Sequence, residues 1–398
     1  MKTNKCFIIL FRRFNDLDHT LPIVHVLAKY NPEIKVYYLC TSRFWNFKKE
    51  EIFKSSLINL KNVYLGYFED FIFKTKNRFL KNALLFFFKI KFFRNFYFKK
   101  NLSNFKLIKF IIDIPNKRSL LINYFISYLK LESNRSILYG FRHALWNKID
   151  TENDINEIQN CKKIILQNSD LDKIILTNER EFLIYKKNNT NYKKFFFLGN
   201  IRFSHEWNNI LVQNFPFEDK FKKKRKEINV LYMDHSLFLG LKGDIIYESL
   251  KKIKAMNNIR LVIKPNTNSL HKSDLNLSSK KLLNLNCIDY ESSSRNLISE
   301  ADIVINTQSS IAVEVLLQNK LLVSASHYHT KKMLWEEYGA CAIVKNDDEL
   351  INLIKNYSKD KKNNFYIYKN VKNYLDEIQA AKYGDHIFER YNKFFMDI

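Results

Sequence analysis

Short apolar runs alternate with longer stretches of helical periodicity from one end of the chain to the other. CFIILF, KVYYLC, NVYLGYF, SILYGF, KIILTN and KFFFLG in the first half, and INVLYM, RLVIKP, NCIDY, DIVINT and LLVSAS in the second, are apolar at most positions. A strand with one wet face alternates apolar and polar residues, whereas a strand covered on both faces does not, so these runs predict parallel strands buried between helices. Eleven such runs are too many for one ordinary open sheet. The pattern breaks at QNFPFEDKFKKKRKE, residues 213–227, where a proline and a dense charge run intervene, and then starts again. The prediction is an α/β protein with two doubly wound parallel-sheet domains, residues 1–212 and 228–380, joined by the linker 213–227. A terminal helix, residues 381–398, is expected to cross back onto the first domain. Ligands of such folds bind outside the carboxyl ends of the strands, so the two sheets are expected to face a central cleft.

One segment stands apart. Between Lys74 and Ile112 there are eleven Lys or Arg residues and no acid, and NALLFFFKIKFFRNFYFKKN, residues 82–101, carries eight aromatic rings. Leu80, Ala83, Leu84, Phe87, Ile90 and Phe93 can share one helical face, which predicts a basic aromatic helical segment over 74–112. Such a segment either packs as a core helix with a solvated basic rim or lies against anionic headgroups. Nucleic acid is disfavoured, because no RNP, KH or helix-turn-helix pattern accompanies the rings.

Composition adjusts this picture only slightly. Lys and Arg total 66 against 41 acids, a net charge of +25 that favours anionic partners. Only 14 of the 66 are Arg, and the matching abundance of Lys, Asn, Ile and Phe indicates a codon bias that raises charge without purpose. Glycine is scarce, seven against the roughly 28 that average usage implies. Gly140, Gly199, Gly240 and Gly243 lie at or near the ends of strand-like runs, where a chain reversal or a closely approaching ligand requires a small residue. The five cysteines, Cys6, Cys40, Cys161, Cys287 and Cys341, lack C-x-x-C spacing, which argues against a disulfide framework or zinc site and fits a reducing cytoplasm. The opening MKTNKCFIILFRRF has too short an apolar run for a leader or anchor, and no stretch reaches the roughly 18 to 20 apolar residues of a membrane span.

Candidate chemistry gathers where strands end. In SEADIVINTQSSIAVEVLLQNKLLVSAS, residues 299–326, a strand runs into the small polar turn Thr307, Gln308, Ser309 and Ser310, and then into a helix bearing Glu314. Backbone N–H groups and hydroxyls at such a turn suit a phosphate, and the carboxylate suits a ribose diol. The plain alternative makes Ser309 an N-cap and Glu314 a surface acid. In FFFLGNIRFSHEW, residues 195–207, Arg202 follows the Gly199 turn and can fork onto phosphate or carboxylate. RLVIKPNTNS, residues 260–269, ends a strand with Lys264 and Asn266. ILYGFRHALWNKID, residues 137–150, supplies Arg142, His143 and Lys148 as acceptor or phosphate contacts, with His143 also a candidate base. The loop expected after the first strand carries Arg12, Asp16, Asp18 and His19, of which the last three are candidate general bases or merely first-turn capping groups. YMDHSLF, residues 232–238, is the matching loop of the second half and offers His235 and Ser236. No Walker loop, strand-linked G-x-G-x-x-G, G-x-S-x-G elbow or H-E-x-x-H occurs.

Three of these stretches carry a resemblance. ADIVINTQSSIAVEVLLQNKLLVS looks like the donor-binding strand, turn and helix of glycosyltransferases with the two-Rossmann GT-B fold, particularly those building bacterial capsule and lipopolysaccharide. FFFLGNIRF resembles the GNPRFD stretch of those enzymes with Ile201 in place of proline, and RLVIKPNTNS resembles their VIRPHP strand end with Asn266 and Thr267 in place of His and Pro. A fainter likeness joins His143 to Lys148 with the HGTPLK loop of glycerophosphotransferases of teichoic-acid-like polymers. The resemblance implies a metal-independent transferase, needing no cofactor, that moves a sugar from a CMP-, UDP- or CDP-linked donor to a glycan or glycolipid acceptor. It implies a cytoplasmic enzyme, peripheral on the inner face of the plasma membrane. Donor contacts would come from Arg202, His235, Ser236, Lys264, Asn266, Thr307, Gln308, Ser309, Ser310 and Glu314, and a base from Asp16, Asp18, His19 or His143. The alternatives are a CDP-alditol phosphotransferase, which would transfer phosphate and not sugar, and a noncatalytic scaffold of a glycan assembly complex, which the missing histidine of KPNTN favours. A sugar-nucleotide 2-epimerase shares the architecture, but little of its signature is present.

Overall fold

The computed structural model describes residues 5–12, 14–42, 45–47, 56–57, 59–114, 118–142, 148–149, 169–176, 179–188, 192–214, 227–235, 240–265, 277–359, 365, 367–384 and 386–397. Its strands are β1 (Lys5–Phe11), β2 (Lys35–Cys40), β3 (Val63–Tyr67), β4 (Leu107–Ile114), β5 (Ser136–Arg142), β6 (Lys148–Ile149), β7 (Lys173–Leu176), β8 (Phe195–Phe197), β9 (Ile228–Met233), β10 (Ile259–Lys264), β11 (Ile303–Asn306), β12 (Leu321–Ala325), β13 (Lys332–Met333) and β14 (Ala342–Val344). Two compact units result: Met1–Leu145 with Ile155–Phe215 and Ile378–Ile398, and Trp146–Asp154 with Pro216–Glu377. Each has its own parallel sheet, ordered β3-β2-β1-β4-β5-β7-β8 in the first and β10-β9-β11-β12-β14 in the second. The α/β class with two doubly wound sheets, expected from the apolar runs, is the observed architecture.

The first sheet buries β1 and β4 at its centre, where six of the seven β1 residues and seven of the eight β4 residues are buried. The expected basic helical segment 74–112 is therefore wrong at its end: LIKFIIDI is a central strand, because an isoleucine-rich run covered on both faces outweighs the charges of Lys106 and Lys109. The rest of that segment forms two helices, Arg78–Phe87 and Lys91–Leu102, not one. The face expected to be buried also turns outward: Leu80, Phe87 and Ile90 are exposed, and Phe88, Phe98 and Leu102 enter the core instead. NCIDY is not a strand but makes a single bridge, Ile263 to Ile288. β14, within the apolar run ACAIV at residues 340–344, is a further strand absent from the expected set.

The C-terminal helix Ile387–Met396 lies in the first unit, its apolar side on the sheet. Phe395 stacks edge-on against Tyr139 with centroids 4.9 Å apart, and Tyr391 Oη donates to the Gly199 carbonyl at 2.8 Å. Gly199 has φ +83°, and a Cβ there would lie 2.5 Å from the Gln379 carbonyl oxygen, so the segment leading to this helix, not a ligand, demands the glycine. Gly243 is equally constrained by the Ser278 carbonyl, 2.2 Å from a would-be Cβ. Gly140 lies within β5 beneath Leu171, away from any turn.

In the second unit Ile246, Leu250 and Ile253 of the helix Gly243–Lys254, with Leu350 and Ile354 of the helix Asp347–Lys359, join inward residues of β9, β10, β11 and β12 in one core. The short β6 pairs antiparallel with β13 within this unit. Among the described residues no helix is long and apolar enough to cross a membrane.

Candidate functional site

Both sheets have a switch point, where the chain leaves the middle of the sheet first to one side and then to the other, and such points leave a crevice at the strand ends. In the second sheet it lies between β9 and β11. The parallel register sets Lys264, Met233, Asn306 and Ser324 level with one another, so the residues following each strand share one edge.

Asp234 follows β9 and is buried; its carboxylate accepts the Ser278 N–H at 2.8 Å and the Tyr232 hydroxyl at 3.0 Å. Burial raises its pKa, and the hydrogen bonds from Ser278, Tyr232 and the His235 N–H act in the other direction. Across the switch point, Asn306 Nδ2 donates to the Ser309 carbonyl at 2.9 Å and the Ser309 hydroxyl accepts the Ile311 N–H at 3.3 Å. The hydroxyl turn is thus formed by a strand-end asparagine folding it back and by Ser309 closing onto the Ile311 N–H, while Ser310, the N-cap of the helix Ile311–Leu317, makes no side-chain cap. Ser309, Ser310 and Glu314 are partly exposed, whereas Thr307 and Gln308 are buried. Asn306 Oδ1 and Thr307 Oγ1 are buried with no hydrogen-bond partner among the described residues. Glu314 lies close enough to Arg295 of the neighbouring helix Ser294–Glu300 for its charge to oppose the fall in pKa that burial imposes on that guanidinium.

Lys264 ends β10 as expected but is buried, and its ammonium donates to the carbonyls of Asp289 and Tyr290 at 3.4 and 3.3 Å. Burial lowers its pKa, with Asp289 opposing. These contacts give it the role of bracing the 289–290 turn. After β12, two histidines that the sequence reading did not select stand beside carboxylates. His327 Nε2 is 3.2 Å from Asp347 Oδ1, and the buried His329 lies 3.8 Å from Glu336, which also accepts from the Ser324 hydroxyl and, at 2.8 Å, from the Met333 N–H. Burial lowers the His329 pKa more strongly than Glu336 raises it, which favours a neutral imidazole.

The first unit assembles a different group. The helix Phe14–Tyr30 begins almost at once after β1, so Asp16, Asp18 and His19 lie inside its first two turns and not in a loop. Asp16 is buried and accepts the Arg12 N–H at 3.0 Å, a turn-closing contact. Arg202 comes to this helix from the 3-10 turn Ile201–Phe203: Nη2 is 2.5 Å from Asp18 Oδ2, Nη1 is 3.1 Å from His19 Nε2, and the guanidinium lies 4.7 Å over the Phe203 ring. Burial raises the Asp18 pKa against the pull of Arg202. Asp18 and His19, proposed from the sequence as bases, thus form a largely buried cradle for a guanidinium, and Arg202, proposed as a donor contact, is the residue they hold. Arg142, selected as an anion contact, ends β5 in an ion pair with the fully buried Glu181. Lys148 is seen only as backbone in β6, and His143, Ser236 and Asn266 lie outside the described residues.

An open depression of about 740 Å³ runs beside the edge strand β10, lined by Arg260 to Val262 and Asn286 to Ser292. It contains none of the residues selected above. Among the described residues no three His, Cys, Asp or Glu side chains converge as a metal site.

No protein-family model matches the sequence, and no curated protein does. Solved structures do match the fold. The chain is similar to a protein from Listeria monocytogenes assigned as a UDP-N-acetylglucosamine 2-epimerase, at 11% identity over 99% of this chain and 95% of that one, with a TM-score of 0.57. It is similar to the UDP-GlcNAc 2-epimerase of Neisseria meningitidis bound to UDP-GlcNAc, at 14% identity over 98% and 100% of the two chains, TM-score 0.53. The glycosyltransferase of kitacinnamycin matches at 9% identity over 98% of each chain, TM-score 0.53. At these identities the likeness shows the GT-B type of fold, two parallel-sheet α/β domains, and the fold alone.

Proposed function

We propose that this protein is a nucleotide-sugar-dependent glycosyltransferase of surface-glycan assembly, acting on a glycan or lipid-linked acceptor. The observation that carries the proposal is the edge of the second sheet. At the β9–β11 switch point the partly exposed Ser309, Ser310 and Glu314 follow β11 on the same sheet edge at which Asp234 and His235 follow β9, an arrangement suited to a diphosphate and a ribose diol. Support also comes from structural neighbours whose own ligands include UDP-GlcNAc. In this scheme the second unit holds the donor, and the Ser309 and Ser310 hydroxyls with the backbone of their turn stabilise the diphosphate as the sugar–phosphate bond breaks. The first unit takes the acceptor; Arg202, expected as a donor contact, is held there by Asp18, His19 and Phe203 and serves to fix the start of the first helix.

A thermal-shift screen of the full chain against UDP, CDP, CMP and GDP tests donor binding, because a ligand that binds only the folded state raises its melting temperature. Sugar nucleotides of the responding base are then incubated with and without lipid-linked acceptor. A sugar-sized mass gain on the acceptor supports transfer. An alditol-phosphate gain assigns the phosphotransferase, conversion of the sugar nucleotide without acceptor assigns an epimerase, and no response to any nucleotide assigns a scaffold.

A further inference from the structure

The helices Arg78–Phe87 and Lys91–Leu102 of the first unit divide their aromatic residues into two sets. One set anchors the pair. Phe88 and Phe98 are completely buried, Phe98 packs on Phe125 and Tyr128, Arg94 lies 4.1 Å over the Tyr124 ring, and Lys81 is ion-paired with Asp70. Tyr97 Oη fixes the second helix further by donating to the Phe73 carbonyl at 3.1 Å. The other set faces out: Phe79 is 84% exposed, Phe92 83%, Phe86 66% and Phe96 61%, with Phe87 and Ile90 about half exposed. Rings that hold the hairpin are thus accounted for, and the outward rings add nothing to the core.

Charge selects what covers them. Lys74, Lys76, Lys89, Lys91, Lys99 and Lys100 are all exposed, no acid lies between 74 and 112, and Lys89 extends over the Phe86 ring at 5.5 Å. A second copy of the same face would bring these lysines against their own kind, which costs energy. An anionic bilayer satisfies both halves of the surface at once, rings at the acyl boundary and ammonium groups at phosphate level on stems that reach past them. We propose that this helix pair docks the protein on an anionic lipid surface, lying in the interface without crossing it. The proposal is independent of whether the protein transfers sugar.

Flotation of the full chain with phosphatidylcholine vesicles, with and without phosphatidylglycerol, at low and raised salt, is the test. Binding is expected only with the anionic lipid and weakens with salt. Lys89→Glu combined with Lys91→Glu is expected to lower the partition coefficient roughly tenfold or more. Phe79→Ser with Phe92→Ser is expected to do the same while leaving the melting temperature unchanged, since both rings are solvated in the folded chain. Equal binding to neutral vesicles, or no flotation at all, overturns the proposal. So does self-association in sedimentation velocity that Phe79→Ser with Phe92→Ser abolishes without any vesicle capture.

Discussion

Replacing Arg202 with Met removes one charge from a group in which every neighbour is arranged around it. Asp18 would keep a buried carboxylate with no cation, His19 Nε2 would lose its 3.1 Å contact, and the Phe203 ring would lose the guanidinium above it. Breaking a buried pair by removing one partner costs about 3 to 5 kcal/mol. The two side chains here are 17% and 16% exposed, so water screens part of that. About 2 to 3 kcal/mol for the ion pair and about 1 kcal/mol for the remaining contacts is therefore the expected loss at neutral pH. Asp18→Asn in the same chain restores much of it, because the stranded charge is gone, and a double-mutant cycle should give a coupling of about 2 kcal/mol. The pH dependence has a definite sign. Burial already raises the Asp18 pKa, and without Arg202 nothing opposes it, so the folded variant keeps its proton at a pH where the unfolded chain releases it. The deficit of Arg202→Met relative to wild type must then shrink as pH falls through the raised folded value toward the ordinary 3.8. Urea unfolding of the four proteins, following the transition of the first unit at neutral and mildly acidic pH, measures all three quantities. Additive costs, or a deficit that grows on acidification, would refute the cradle.

Gly199→Ala is expected to cost about 3 kcal/mol or more, since a Cβ at φ +83° adds backbone strain to a 2.5 Å clash with the Gln379 carbonyl. Gly384→Ala, at φ +106° with open space around it, serves as the control and should cost only the strain; equal melting-temperature losses for the two would remove the clash from the account. Lys109, whose ammonium reaches the Phe395 carbonyl inside the first unit, has its pKa pushed down to about 8 by burial, reinforced by Lys5 and Lys173. The unfolded chain therefore binds the extra proton between about 8 and the ordinary 10.5, and wild-type stability should rise relative to Lys109→Met across that window. A stability difference that is flat with pH contradicts the assigned shift.

The two-sheet fold was legible because parallel strands buried on both faces write themselves as unbroken apolar runs, and KVYYLC and INVLYM mark β2 and β9 to the residue. LIKFIIDI is just such a run, but Lys106 before it and Lys109 within it continue the acid-free segment that precedes it and hide the strand. What resolves it is a contact from far along the chain, Lys109 to the carbonyl of Phe395. The same limit governs the site. Arg202, Asp18 and His19 were each visible as chemistry-bearing types, but 183 positions separate Arg202 from His19, and only the fold shows that they are one group. Gly199 and Gly243 announced close approach correctly, while the approaching atoms proved to be backbone carbonyls of Gln379 and Ser278. His329 and Glu336 gave no signal beyond two common residue types after a strand, since their burial depends on packing that no local pattern encodes.

Titration calorimetry of the full chain with UDP, CDP, CMP and GDP, repeated on Ser310→Ala and Glu314→Ala, addresses the donor-side claim most directly. The account predicts that at least one nucleotide binds wild type, that each substitution weakens it about tenfold, and that Phe79→Ser with Phe92→Ser leaves it unchanged. Undiminished affinity in both Ser310→Ala and Glu314→Ala, or heat from none of the four nucleotides, would contradict a donor site at the β9–β11 edge.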